Sequence, residues 1–326
     1  MNLLNKIKSN YNIKLFNEMI NNQKFDDLKS ELKRLKTKDL NQYVQMVHLI
    51  LNKSIDKQDH NEFFSPKSVL VSSFDSIESN FVSEFIKFYL NNFKLNAEVM
   101  NFSQKAYEII DNYEIDYDLS FEKFIYLSYA IQFIINQDSQ SDFDILNSNF
   151  AFYDYQKEVY FTHNAFLSFY VYIVKNPVSL FHRYKKLFNG NSHQALNYIF
   201  NLDNKNHLTH LNSSKKQINE FKQSWEINLQ SWSDQNTKST YKGFVLKVED
   251  FLNDKVQFFS EIVAHMIANG MKIQLDYNKI EEFSEKEICK KFQSYNEDYN
   301  LEISNKEKKF LIKNLKGIYK EFYQID

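Results

Sequence analysis

The chain has 326 residues, 43% of them hydrophobic and 17% aromatic, which is enough apolar side chain to bury a sizeable core and excludes a disordered protein. Its 40 basic and 42 acidic residues leave a net charge of −2, so the basic excess of a nucleic-acid binder is missing. The four glycines, Gly190, Gly243, Gly270 and Gly317, lie too far apart for GxGxxG or GxxxxGK. A Walker loop and a dinucleotide fingerprint are excluded, and any phosphate must be held by a helix N-terminus and side chains.

Residues 1–55 read as helices, with Phe25, Leu28, Leu32 and Leu35 at helical spacing and Tyr43, Met46, Val47, Ile50 and Leu51 repeating it. The opening segment lacks a secretory apolar core. Its lysines Lys6, Lys8 and Lys14 precede the first acidic residue, Glu18. That leaves organellar import open, although the absence of Arg points to an ordinary amphipathic helix. A polar break at 56–61 divides a helical extension, 1–60, from the main domain, 61–326.

In the main domain 68–73 (SVLVSS) reads as a buried strand, followed from about Asn80 by a helix carrying Phe81, Phe85, Phe88 and Tyr89. Residues 102–137 read as helices, hydrophobic nearly all round and therefore buried. Strands are expected at 158–161, 169–174 and 244–248. Pro177 opens a helix with Leu180, Phe181, Tyr184 and Leu187, a polar loop covers 201–215, and a long helix runs over 217–233. Residues 278–324 read as helices and hold the lone cysteine, Cys289, which fits a reducing compartment and a buried apolar role. Strands separated by helices predict an α/β fold, a parallel sheet covered on both faces. No apolar run reaches 18 residues, so no membrane span is expected, and the reading is of an intracellular, cytoplasmic protein.

Four segments carry a family signal. They are SFDSIESNF at 73–81, after a strand and before a helix; FTHN at 161–164; YIVKNP at 172–177; and FVLKVED at 244–250. Ser224-Trp225 and Ser231-Trp232 precede the last. In this order they resemble the sulfotransferase family's SYPKSGNTW, KTHN, YIVRNP and a strand ending in YED preceded by SW…SW. The resemblance covers roughly 66–270, and YIVKNP is its most specific piece. It implies a sulfotransferase-like sheet, a P-loop-type nucleotide fold without a Walker loop, here with an N-terminal helical extension. It also implies a donor, 3′-phosphoadenosine 5′-phosphosulfate, held by Ser76, Ser79, Asn80, Phe81, Lys175 and Arg183, and a base at His163. SPKS at 65–68 spells a fragment of the same loop. It precedes the strand, where no helix N-terminus can hold phosphate, and reads as a turn.

The departures from the family fall where the chemistry is most demanding. Ser76 stands at the family's lysine and Glu78 at its glycine, so a cation is lost and a carboxylate gained at the anion's seat. Each such charge is worth roughly 4 kcal/mol at ~4 Å and an effective dielectric of about 20. Asp75, Ser76 and Glu78 read instead as helix-capping residues. Phe161 replaces a second lysine, and the family's C-terminal RKG has only Leu315-Lys316-Gly317 as a counterpart. His193, His207 and His210 lack the neighbours of a metal site. Two readings follow. One is a non-catalytic fold with an eroded donor site and no cofactor, acting in binding or assembly with a protein partner or a second copy through its N-terminal helices, whose apolar stripes must be buried against the main domain or a partner, with some of Leu28, Leu32 and Leu35 as contact residues if a partner exists. The alternative is an active, divergent sulfotransferase using His163 as base.

Overall fold

The computed structural model describes residues 24–39, 42–47, 66–112, 121–155, 158–200, 223–297, 304–315 and 317–323, with a few positions between 14 and 22. The loop at 201–215, and with it His207 and His210, lies outside them, as do 217–222 and Lys6, Lys8 and Lys316. The chain forms two compact units. One comprises Met1–Pro66, Ala106–Ser139 and Thr162–Phe166, and the other Lys67–Lys105, Gln140–Phe161 and Leu167–Asp326.

The first unit is helical. Its described elements are α1 (Phe25–Lys38), a helical stretch at 42–47, most of α3 (Phe102–Asn112) and α4 (Phe121–Asp138). Leu28, Leu32 and Leu35 form a buried stripe on α1, as their spacing predicts. Tyr43 packs on Phe133 of α4 with ring centroids 6.1 Å apart. The stripe, expected to be buried against the main domain or a partner, is covered within the chain: Leu28, Leu32 and Leu35 are 1%, 3% and 1% exposed.

The second unit is an α/β sandwich around a five-stranded, all-parallel sheet in the order β2-β3-β1-β6-β7. The strands are β1 (Ser68–Ser73), β2 (Ala97–Asn101), β3 (Phe143–Ser148), β6 (Leu167–Val174) and β7 (Gly243–Lys247). Central β1 is buried throughout, which explains its run of apolar and small residues. Alternate residues divide the sheet between two helical layers. Val69, Val71, Phe169, Val171, Ile173, Phe244 and Leu246 enter one core with α2 (Ser76–Asn92), α10 (Lys255–Ala268), α11 (Tyr277–Ser284) and α12 (Glu287–Glu297). Tyr170 and Tyr172 point the other way, onto Trp232 of α7 (Trp225–Ser233).

The paired SW motif has a physical basis on that second face. Ser224 caps α7 by accepting from the Ile227 N–H, and Ser231 Oγ accepts from the Phe152 N–H at 2.8 Å. The indole N–H of Trp232 donates to Phe150 O at 3.0 Å and that of Trp225 to Lys175 O at 3.2 Å. Two wholly buried indoles thus find partners for their polar edges.

The segment expected as a sheet strand at 158–161 is not part of the parallel sheet. Val159–Tyr160 (β5) pairs antiparallel with Tyr153–Asp154 (β4) in a separate two-stranded ribbon. Glu158 turns the chain at φ +53°, and Tyr160 packs against Tyr153 and Tyr241, at 4.7 and 5.0 Å, rather than under a helix. Strands β2 and β3 occupy the sheet positions beyond β1 instead. Among the described residues no helix is long and apolar enough to cross a membrane.

Candidate functional site

The topology marks one place for a ligand. From β1 the chain crosses to β2 and β3 on one side and then to β6 on the other, so β1 and β6 are neighbours whose following segments diverge. In open α/β sheets ligands bind at the carboxyl ends of such a strand pair. The register Ser73↔Ile173 sets the ends of β1 and β6 side by side. The first leads into 74–75 and α2, the second into Lys175, Asn176 and α5 (Pro177–Leu187). SFDSIESNF and YIVKNP are brought together here, as the resemblance implies.

Each segment is built for its turn. Asn176 caps α5, its Oδ1 accepting from the Val178 N–H at 2.9 Å, and Pro177 takes the first helical position. The Asn176 N–H donates to Glu249 Oε1 at 3.0 Å, and Tyr323 donates to the other oxygen at 3.2 Å. Glu249, from the VED segment, braces the loop; burial raises its pKa. At α2 the cap differs from the expectation. Asp75 occupies the N-cap without bonding the helix, and Ser73 Oγ accepts from the Ser79 N–H at 3.0 Å instead. Asp75 is drawn away because Tyr184 donates to its Oδ2 at 2.7 Å and Arg183 Nη1 stands 3.2 Å from the same atom.

The centre of the site is an internal ion cluster. Glu78, in the first turn of α2, places Oε1 3.0 Å from Arg183 Nη1 and 3.6 Å from Lys175 Nζ. Lys175 also donates to Asn296 Oδ1 at 2.5 Å, and Asn296 in turn donates to Phe292 O at 2.7 Å. The Arg183 guanidinium lies 4.4 Å from the Tyr295 ring centroid, a cation–π contact. Glu78, Lys175 and Arg183 are all buried. Burial opposes charge on Arg183, but Glu78 and Asp75 outweigh it and hold its pKa above the ordinary value. Burial lowers the Lys175 pKa against the pull of Glu78. Burial raises that of Glu78, with Arg183 opposing and Asp75 adding to the rise. Two carboxylates and two cations meet without excess charge, and the groups that could grip a phosphate are engaged by the protein itself.

The remaining residues named by the resemblance are distributed differently. Ser76 is exposed at the first position of α2. Ser79 is buried and donates to Ser76 O at 3.2 Å. Asn80 accepts from Asn147 Nδ2 at 2.8 Å. Phe81 lies in the core, stacked face to face on Phe292 at 3.9 Å. Phe161 is buried against Phe102 and Phe150, at 4.9 and 5.1 Å.

His163 belongs to the helical unit, whereas Lys175, Arg183 and the 74–81 loop belong to the α/β unit. Its Nδ1 accepts from the Ala165 N–H at 3.1 Å. That bond fixes the neutral ring as the Nε2–H tautomer, leaving its one lone pair engaged with backbone. Beside it Thr162 bonds Gln132, which donates to Ser128 Oγ at 3.1 Å.

His193 is exposed on α6 (Ser192–Phe200), and among the described residues no cluster of His, Cys, Asp or Glu could hold a metal. Cys289 is buried, its Sγ donating to Phe283 O at 3.2 Å, and burial pushes its thiol up to about 12. Tyr184 was legible in the sequence only as part of the apolar face of its helix, and nothing local marked Asn296 and Tyr295. No protein-family model matches the chain, and no curated protein matches its sequence at a significant level.

Proposed function

We propose that the chain is a sulfotransferase-like fold with an eroded donor site, non-catalytic, acting as a binding or assembly component. The observation that supports this best is the contact of Glu78 Oε1 with Arg183 at 3.0 Å and Lys175 at 3.6 Å. Sulfuryl transfer requires positive charge on the leaving phosphate, and here both cations neutralise carboxylates of the chain. Ser76 supplies no charge in their place. The alternative, an active divergent enzyme, needs a base with an available lone pair, and that of His163 accepts from Ala165 N–H. Since the stripe of Leu28, Leu32 and Leu35 is covered within the chain, a partner or second copy would meet the outward residues of the N-terminal helices.

Calorimetric titration of the full chain with adenosine 3′,5′-bisphosphate tests the reading. No saturable binding is expected in the micromolar range. Micromolar affinity that disappears on changing Lys175 or Arg183 would overturn it in favour of the enzyme.

A further inference from the structure

We infer that the outward face of the helix Asn305–Asn314 (α13), together with the end of α5, docks on an anionic lipid bilayer. The helix is polarised by its own sequence, NKEKKFLIKN. At about 100° per residue, Lys306, Lys309, Phe310 and Lys313 fall in one row along it, and each of them is exposed. Leu311 points the other way and is wholly buried. Glu307 is the one acidic residue of the helix. It is turned towards α5 and α6, accepting from Lys185 at 2.7 Å and from Ser192 at 2.8 Å. The carboxylate that could offset the row is therefore engaged elsewhere. Among the described residues Lys306, Lys308, Lys309 and Lys313 form no ion pair. The row shares no residue with the ion cluster of Glu78, Lys175 and Arg183.

The apolar members decide the kind of partner. Phe310 is 46% exposed, and Leu187, the last residue of α5, is 64% exposed, the largest value among the large apolar residues described. Lys185, on the same turn as Leu187, holds Glu307, so the end of α5 adjoins the first turn of α13. One exposed apolar residue needs no explanation. Two of them beside a row of lysines form the amphipathic footprint that binds anionic lipid. At these exposures both side chains stand out from their helices rather than line a groove. A folded partner would have to supply a matching cavity, whereas the fluid boundary between headgroups and acyl chains admits protruding apolar groups without one. Lysine stems lie along apolar surface while their ammonium groups stay at the headgroups. A second copy fits poorly, since a twofold contact through this face would set lysine against lysine. The whole chain carries a net charge of −2, so the attraction is local to the row and acts within about a Debye length, ~8–10 Å.

Co-sedimentation of the full chain with vesicles tests this. Vesicles of phosphatidylcholine alone are compared with vesicles holding roughly 30% phosphatidylserine, at ~50 and ~500 mM sodium chloride. Binding is expected only with phosphatidylserine and only at the lower salt. Lys309→Glu/Lys313→Glu should weaken it about 10-fold or more, and Phe310→Ser about 5-fold. These positions are exposed, so the variants should keep the native Tm, and lost binding then reads as lost contact. Lys238→Glu/Lys242→Glu makes the same charge change at exposed lysines outside the face and should leave binding as it is. Absence of binding to the phosphatidylserine vesicles at low salt overturns the inference. So does binding that survives Lys309→Glu/Lys313→Glu, or that falls equally in the Lys238→Glu/Lys242→Glu control. Native-strength binding by Phe310→Ser would mark a face for soluble polyanions, an acidic peptide or a nucleic acid, and would overturn the assignment to lipid.

Discussion

The guanidinium of Arg183 donates to Glu78 Oε1 at 3.0 Å across 105 positions of sequence, joining α5 to the first turn of α2. Removing one member of such a buried pair strands the other charge, which costs about 3–5 kcal/mol. Arg183→Met should therefore destabilise the chain by that order in urea unfolding. Replacing both, as Glu78→Met with Arg183→Met, should recover most of the loss, because a buried ion pair and a well-packed apolar pair are often of similar stability. Additive losses in this double-mutant cycle would show that the pair is not coupled.

Gly243 opens β7 opposite Tyr170, and a Cβ added there would stand 2.2 Å from Tyr170 Cδ1. The ring cannot easily yield, since its hydroxyl donates to Trp232 O at 2.9 Å and it packs on Phe152 at 5.3 Å. Gly243→Ala should cost about 1–3 kcal/mol by overpacking. A variant with native stability would mean that the Tyr170 ring is free to move aside.

Glu307 closes a capping box with Ser304 at the start of α13 (Asn305–Asn314) and accepts from Lys185 at 2.7 Å and Ser192 at 2.8 Å. The Lys185 hydrogen bond, then those of Ser304 and Ser192, hold its pKa down to about 2 from an ordinary 4.5. A carboxyl depressed on folding stabilises fully above its unfolded pKa and loses that contribution as pH falls through the folded one. The Tm gap between native chain and Glu307→Gln should accordingly be constant from pH 7 to about 5 and close towards pH 2. Glu307→Ala, which also breaks the box, should cost about 1–2 kcal/mol at pH 7. A gap that widens on acidification would contradict the assignment.

The sequence made some of this legible and hid the rest for physical reasons. Strands β1, β6 and β7 announce themselves as runs of Val, Leu, Ile and aromatic residues. Strand β3, FDILNS, does not, because its polar side chains find partners far off in the sequence: Asn147 in Asn80 and Ser83, and Ser148 Oγ in Ser72 Oγ at 3.4 Å. Residues 158–161 read as a strand and are partly one, but which sheet a strand joins depends on neighbours such as Tyr153 and Tyr241. At the site the family resemblance singled out Lys175 and Arg183, and their charge reversal of role came from Glu78. The capping role assigned to Asp75 was taken by Ser73, because Tyr184 and Arg183 compete for the carboxylate. Asn296, 121 residues from Lys175, has no local pattern that could reveal it.

The central position of β1 also governs the order in which the chain can be assembled during synthesis. Ser72 finds its register partner Ser148 only 76 residues later, and the second edge waits for β6. At about 5–20 residues per second, both edges of β1 stay open for on the order of 4–15 s after it is made. Six residues that end wholly buried are therefore exposed to the ribosome's surroundings before any strand can shield them. A chaperone acting on the nascent chain would have this segment as its earliest target in the sheet.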